Sequence, residues 1–204
     1  MQSRTGLVSR KEHVRDARLF VIATEGTHTE KQYLEGLFGS SRLKVITLDA
    51  GGTTLSAPNH VLARLVDFKR QYDLGPDDEQ WLMLDVDRWP PNLISNVCHE
   101  AQRKGFSLAV SNRCFELWLW LHFADPDPAD TNCQQLKKHL RSTLGSYNES
   151  NLDLFPYTPE RIADAIGRAK SLPHNPAQPW PDFPGTHVYQ LVERLLPHLH
   201  TASS

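Results

Sequence analysis

Three carboxylates occupy positions from which a metal ion could be held. Glu25 follows the apolar stretch 19–23, and Asp85 and Asp87 follow the apolar stretch 81–84. Residues two apart in an extended chain point to the same side. The carboxylates of Asp85 and Asp87 should therefore emerge together, their Cα atoms roughly 6–7 Å apart. Like charges at that separation repel unless a cation lies between them or one carries a proton. Hard oxygen donors suit Mg²⁺ or Mn²⁺, which retain waters that a phosphate can displace. The chemistry implied is metal-assisted phosphoryl transfer, with Glu25 as general acid, general base or further ligand. The blander alternative is a strand-end pair that caps the next helix.

Other residues belong with this group. Arg88 is next to the acidic pair and could meet a phosphate oxygen bidentately or form a surface salt bridge. Glu116 lies among Phe115, Leu117, Trp118 and Trp120, where a carboxylate is costly without a partner. It is either bonded to Ser111 or Asn112, or it is a further metal ligand. Ser111 and Asn112 join Arg88 as candidate substrate contacts. His122 and the aromatic residues around it read as core.

These residues depend on strand–helix alternation for their positions. Residues 19–23, 43–48, 81–86 and 106–110 read as short buried strands. Helices are expected at 30–38, capped by Thr29, and at 59–72, 92–104 and 114–123. Four such repeats predict an α/β fold, a parallel sheet with helices on both faces. Ligands in such sheets collect outside the carboxyl ends of the strands, which is where Glu25, Asp85 and Asp87 fall. Beyond residue 124 the pattern turns helical, at 134–144, 159–171 and 186–200. Pro176, Pro179, Pro181 and Pro184 break it. The expected organisation is a basic, flexible arm at 1–18, an α/β core at 19–124 and a helical C-terminal extension at 125–204 packed on the core.

Composition narrows the function. The chain has 204 residues, 39% of them apolar, and no stretch approaches the ~20 apolar residues of a membrane span. No signal peptide opens it, and Cys98, Cys114 and Cys133 are odd in number and widely spaced. Three free thiols and a cytoplasmic location are expected. A net charge of −2 gives no overall basic footprint, so any nucleic-acid contact must be local. Lys137, Lys138 and Arg141 make a basic helix face, as do Arg161, Arg168 and Lys170; both read by default as solvated, with contact to substrate phosphates as the lesser alternative. Gly51-Gly52-Thr53-Thr54 lacks the lysine and spacing of a phosphate-binding P-loop.

Several segments resemble those of RloB-like proteins. They are Glu25-Gly26 with Thr29-Glu30 and Tyr33, Asp85-Val86-Asp87-Arg88, the block Ser111–Phe123, and Gly185-Thr186-His187-Val188-Tyr189. His28 and Arg113 depart from the lysine and proline expected at those places. The resemblance implies a Toprim-like fold in which the glutamate does acid–base work or contacts metal and the Asp-X-Asp pair holds magnesium. It also implies an effector nuclease of anti-phage, abortive-infection defence, acting on DNA or RNA, with an AAA-type ATPase as partner and no membrane. Homo-oligomerisation stays open. Two rivals remain. A haloacid-dehalogenase-type phosphatase would carry its Asp-X-Asp on the first strand rather than the third. A non-catalytic partner or sensor subunit of a defence ATPase would need no metal site.

Overall fold

A computed structural model describes residues 17–26, 28–40, 42–50, 56–86, 88–127, 132–173 and 175–199. The expected arm at 1–18 lies almost wholly outside the described residues. Asp87 and the Gly51–Thr54 stretch lie outside them as well.

The alternation is present. Strand β1 (Arg18–Ala23) leads to helix α1 (Thr29–Leu37), β2 (Leu43–Leu48) to α2 (Pro58–Gln71) and β3 (Glu79–Asp85) to α3 (Pro91–Arg103). Strand β4 (Ser107–Asn112) then leads to α4 (Phe115–Leu121). Helices α5 (Cys133–Leu144) and α6 (Pro159–Ser171) follow, then a two-residue strand β5 (Gly185–Thr186), α7 (Val188–Leu195) and a 3₁₀ turn at Leu196–His198. Proline stands in the first turn of α2, α3 and α6, where its missing N–H would have no intrahelical partner. Helix α5 starts with the Asn132 side chain accepting from the Gln135 N–H and ends at Gly145, whose φ of 74° favours a residue without Cβ.

The sheet runs β2-β1-β3-β4-β5, parallel except for β5. Alternation along the strands assigns each side chain to one of two cores. Phe20, Ile22, Trp81, Met83 and Ala109 face α1, α4 and the C-terminal helices. Val21, Ala23, Leu82, Leu84, Leu108 and Val110 face α2 and α3. The α/β expectation therefore holds, with helices on both faces of a mostly parallel sheet.

Four details differ from the sequence reading. Thr29 opens α1 rather than capping it. His28 occupies the cap position without a side-chain cap bond, while the Thr29 hydroxyl donates to the Glu149 carbonyl at 3.1 Å. The last predicted helix begins later, at Val188, because Gly185 and Thr186 pair antiparallel with Asn112 and Ser111. Cys114 and Cys133 are bonded to each other, so only Cys98 is a free thiol, on α3 and buried in the core that α3 shares with α2. Spatial proximity between the start of α4 and the start of α5 makes this bond, and a separation of 19 residues does not advertise it. Lys137 is the fourth. It faces a cleft wall instead of open solvent.

Candidate functional site

Strand order decides where a ligand can bind. The chain leaves β1 for β2 on one side of the sheet and returns to β3 on the other, so β1 and β3 flank a topological switch point. Ala23 at the end of β1 is in register with Leu82 of β3. Glu25, two residues further on, therefore comes level with the end of β3. Its Oε2 accepts the Asp85 N–H at 3.4 Å and its Oε1 accepts the Trp89 indole N–H at 3.0 Å. Arg88 approaches the same carboxylate, with Nε 3.9 Å from Oε1. Glu25 is only 5% exposed, so these donors orient it tightly. From below, Arg64 of α2 donates to the carbonyls of Leu48 and Thr24 and ties the ends of β2 and β1 together.

A turn brings a second carboxylate beside the first. The Thr24 hydroxyl donates to the Gly26 carbonyl, and the Gly26 N–H donates to Glu30 Oε1 at 3.2 Å. A Cβ at Gly26 would collide with the Glu30 carboxyl group, so this approach requires glycine. Burial, reinforced by the charges of Glu116 and Glu25, pushes the Glu30 pKa up to about 7 despite the hydrogen bonds it accepts from backbone.

The opposite wall comes from α4, α5 and the loop after α5. Glu116 faces inward from the first turn of α4. It accepts the Tyr147 hydroxyl at 3.1 Å and lies 3.4 Å from Lys137 Nζ. Lys137 also holds Glu149 at 2.8 Å. Burial disfavours the Lys137 ammonium, but its hydrogen bond to Glu149 and the charge of Glu116 prevail and raise its pKa. Burial and the Glu116 charge push the Tyr147 phenol well above its usual range, so it remains a donor. Glu30, Asp85, Arg88, Glu116, Lys137 and Glu149 together line a cleft of about 270 Å³. The disulfide between Cys114 and Cys133 lies in its wall.

A comparison with known families identifies the chain's relatives. The model of the RloB-like protein family matches residues 20–195. The chain belongs to the RloB-like protein family. No curated protein matches it, and no solved structure does. The family match spans both walls of the cleft, from β1 through α5 to α7.

Of the expected site residues, the structure brings Glu25 and Asp85 together at the switch point and puts Arg88 beside them, its side chain 66% exposed. Glu116 lines the same cleft, but its partners are Tyr147 and Lys137 rather than Ser111 or Asn112. The Ser111 hydroxyl is within 2.9 Å of the Thr186 hydroxyl, and the Asn112 side-chain amide donates to the Pro181 carbonyl at 3.1 Å. These two residues fasten the C-terminal return to β4. Four contributors escaped the sequence reading: Glu30, Trp89, Lys137 and Tyr147. Only Glu30 left a trace, the four-residue spacing from Gly26 that lets a first-turn carboxylate reach back to a strand-end N–H.

The donor chemistry suits a hard divalent cation. Glu30, Asp85, Glu116 and Glu149 supply oxygen donors to one cleft, and burial, with the charges of Glu116 and Glu25 added to it, raises the Glu30 pKa. Among the described residues no three His, Cys, Asp or Glu side chains are gathered as a ligand set, and Asp87 is outside those residues. No helix among the described residues is long and apolar enough to cross a membrane.

Proposed function

We propose that this RloB-like chain is a Toprim-like, metal-dependent phosphodiesterase that cuts nucleic acid, DNA or RNA, as the effector of an anti-phage, abortive-infection system. The observation that supports it is the meeting of Glu25 and Asp85 at the switch point, opposite Glu116 across a polar cleft. Asp85 and Asp87, with Glu25 and Glu116 adjoining, would hold Mg²⁺ or Mn²⁺, which would supply Lewis-acid stabilisation to a phosphate. Glu25 moves the proton between the attacking water and the leaving oxygen, its orientation fixed by the Asp85 N–H and the Trp89 indole. Arg88 meets a non-bridging phosphate oxygen. Ser111 and Asn112 act by holding the end of β4 beside the acidic strand end. An AAA-type ATPase partner fits the resemblance and would provide the trigger.

The test compares Asp85→Asn, Asp87→Asn and Glu25→Gln in a cleavage assay across Mg²⁺ and Mn²⁺ concentrations, beside thermal melts with and without metal. Both Asn variants should lose cleavage and metal-induced stabilisation while keeping the metal-free fold. Glu25→Gln should lose turnover more than metal response. Undiminished cleavage by both Asn variants would sink the mechanism. The rival, a non-catalytic partner or sensor of a defence ATPase, draws on one observation: both Glu25 oxygens already accept hydrogen bonds. It predicts no cleavage by any form and ATPase stimulation that survives all three substitutions.

A further inference from the structure

Helix α5 is unlike its neighbours in charge. It carries Lys137, Lys138 and Arg141 and no carboxylate across Cys133–Leu144. On α6 and α7 Arg168 faces Asp125 and Asp164, Lys170 holds Glu193 and Arg194 holds Glu79, while Arg161 donates to the Pro156 carbonyl and lies over the Phe123 ring. On α5 only Lys137 is matched, by Glu116 and Glu149 at the cleft wall. Lys138 and Arg141 are exposed, and neither enters an ion pair among the described residues.

Helical geometry makes these cations one ridge. Leu136 and Leu140 are the buried side of α5. Gln134, Lys137, Lys138 and Arg141 follow the three- and four-residue spacings of the opposite side. Arg141 lies about 6 Å along the axis from Lys137. Cys133 and Lys137 line the cleft, so the ridge begins at the candidate site and runs away from it toward Gly145.

We infer that this ridge is a phosphate-tracking surface that guides a nucleic-acid backbone into the cleft, without reading its sequence. The inference rests on the proposed phosphodiesterase reading of the cleft. Charge complementarity selects the occupant. A ridge whose outer cations, Lys138 and Arg141, enter no ion pair among the described residues, and which leads to a site for a phosphodiester, fits a polyanion whose charges repeat every ~3.4 Å along a strand. Exposed lysine and arginine side chains along one helix face meet phosphate oxygens, which carry no sequence information, so the contact inferred is with backbone.

The test uses the full chain and the variant Lys138→Glu/Arg141→Glu, leaving Lys137 in place because it belongs to the cleft wall. Binding of labelled mixed-sequence oligonucleotides, single- and double-stranded, is followed by fluorescence anisotropy with chelator present to prevent cutting. Hydrolysis of a small diester, bis(p-nitrophenyl) phosphate, is measured in parallel with metal. Losing two phosphate contacts should flatten the plot of log affinity against log salt by about 1.5–2 between about 50 and 200 mM. It should also weaken binding at the low end by at least about tenfold, irrespective of sequence. Small-diester hydrolysis should not change. The conservative Lys138→Arg/Arg141→Lys variant should bind as the wild type does. Unaltered oligonucleotide binding by the charge-reversed variant would overturn the ridge and reassign it to an acidic protein partner. Failure of the wild type to hydrolyse the small diester would count instead against the phosphodiesterase reading, and the binding data would still judge the ridge.

Discussion

The buried Glu30 carboxyl is the most exacting test of the site's electrostatics. A pKa raised from 4.5 to about 7 means the folded chain binds this proton more tightly than the unfolded chain does. The associated stability is therefore fully present below pH 4.5 and is lost as pH rises through about 7. The difference is worth about 3 kcal/mol. Glu30→Gln mimics the protonated form and keeps an oxygen to accept the Gly26 N–H. Urea unfolding at a series of pH values from 4.5 to 8.5 should show the wild type losing on the order of 3 kcal/mol relative to Glu30→Gln across that range. The two proteins should be nearly equal at the acidic end. Mg²⁺ should narrow the gap at pH 8.5, because a cation in the cleft favours the ionised carboxylate and so offsets part of the cost of burying it. A gap that does not depend on pH, or a Gln variant less stable than the wild type at pH 8.5, would refute the burial argument.

Three further outcomes follow from contacts described above. Gly26→Ala should destabilise the fold by about 1–3 kcal/mol because its Cβ meets the Glu30 carboxyl; Glu30→Ala should relieve most of this in a double-mutant cycle measured by urea unfolding. His122 is buried, with its pKa pushed down to about 3, and its Nε2 lies 3.0 Å from the Tyr33 hydroxyl. Its ring should show no NMR titration between pH 8 and 5. Stability should fall as pH drops below 6.5, where only the unfolded chain takes the proton, and Tyr33→Phe should cost about 1–3 kcal/mol. Thiol titration of the denatured, unreduced chain should find one reactive group, Cys98, and three after reduction. Three before reduction would contradict the Cys114–Cys133 bond.

The sequence was informative where one element's pattern suffices. The apolar stretches at 19–23 and 81–84 identified two parallel strands, and Glu25 and Asp85 at their carboxyl ends could be assigned to one edge before their distance was known. Pairings that join separate elements were not legible. Glu116 is visibly an awkward carboxylate among aromatics, but Tyr147 and Lys137 come from a helix and loop whose docking no periodicity states. The same gap explains Lys137: its spacing gives a helix face, but not what covers that face. Strand β5 has only two residues, too few for any alternation to register, and it redirected Ser111 and Asn112 toward the C-terminal return.

That return also governs where the chain can be shortened. Strand β5 covers the outer edge of β4, and the backbone at Gly39 and Phe38 is joined to His198 and Leu199 near the far end of the fold. A truncation ahead of Gly185 would strip the partner from Ser111 and Asn112 and leave an open strand edge, with unpaired donors and acceptors, next to the cleft. Such an edge recruits strands from other molecules, so the shortened chain would precipitate rather than persist as a smaller version of the fold. Trimming that respects the architecture has to stop beyond Leu199, and a tag at that end needs a linker long enough to leave the Phe38–Leu199 bridge in place.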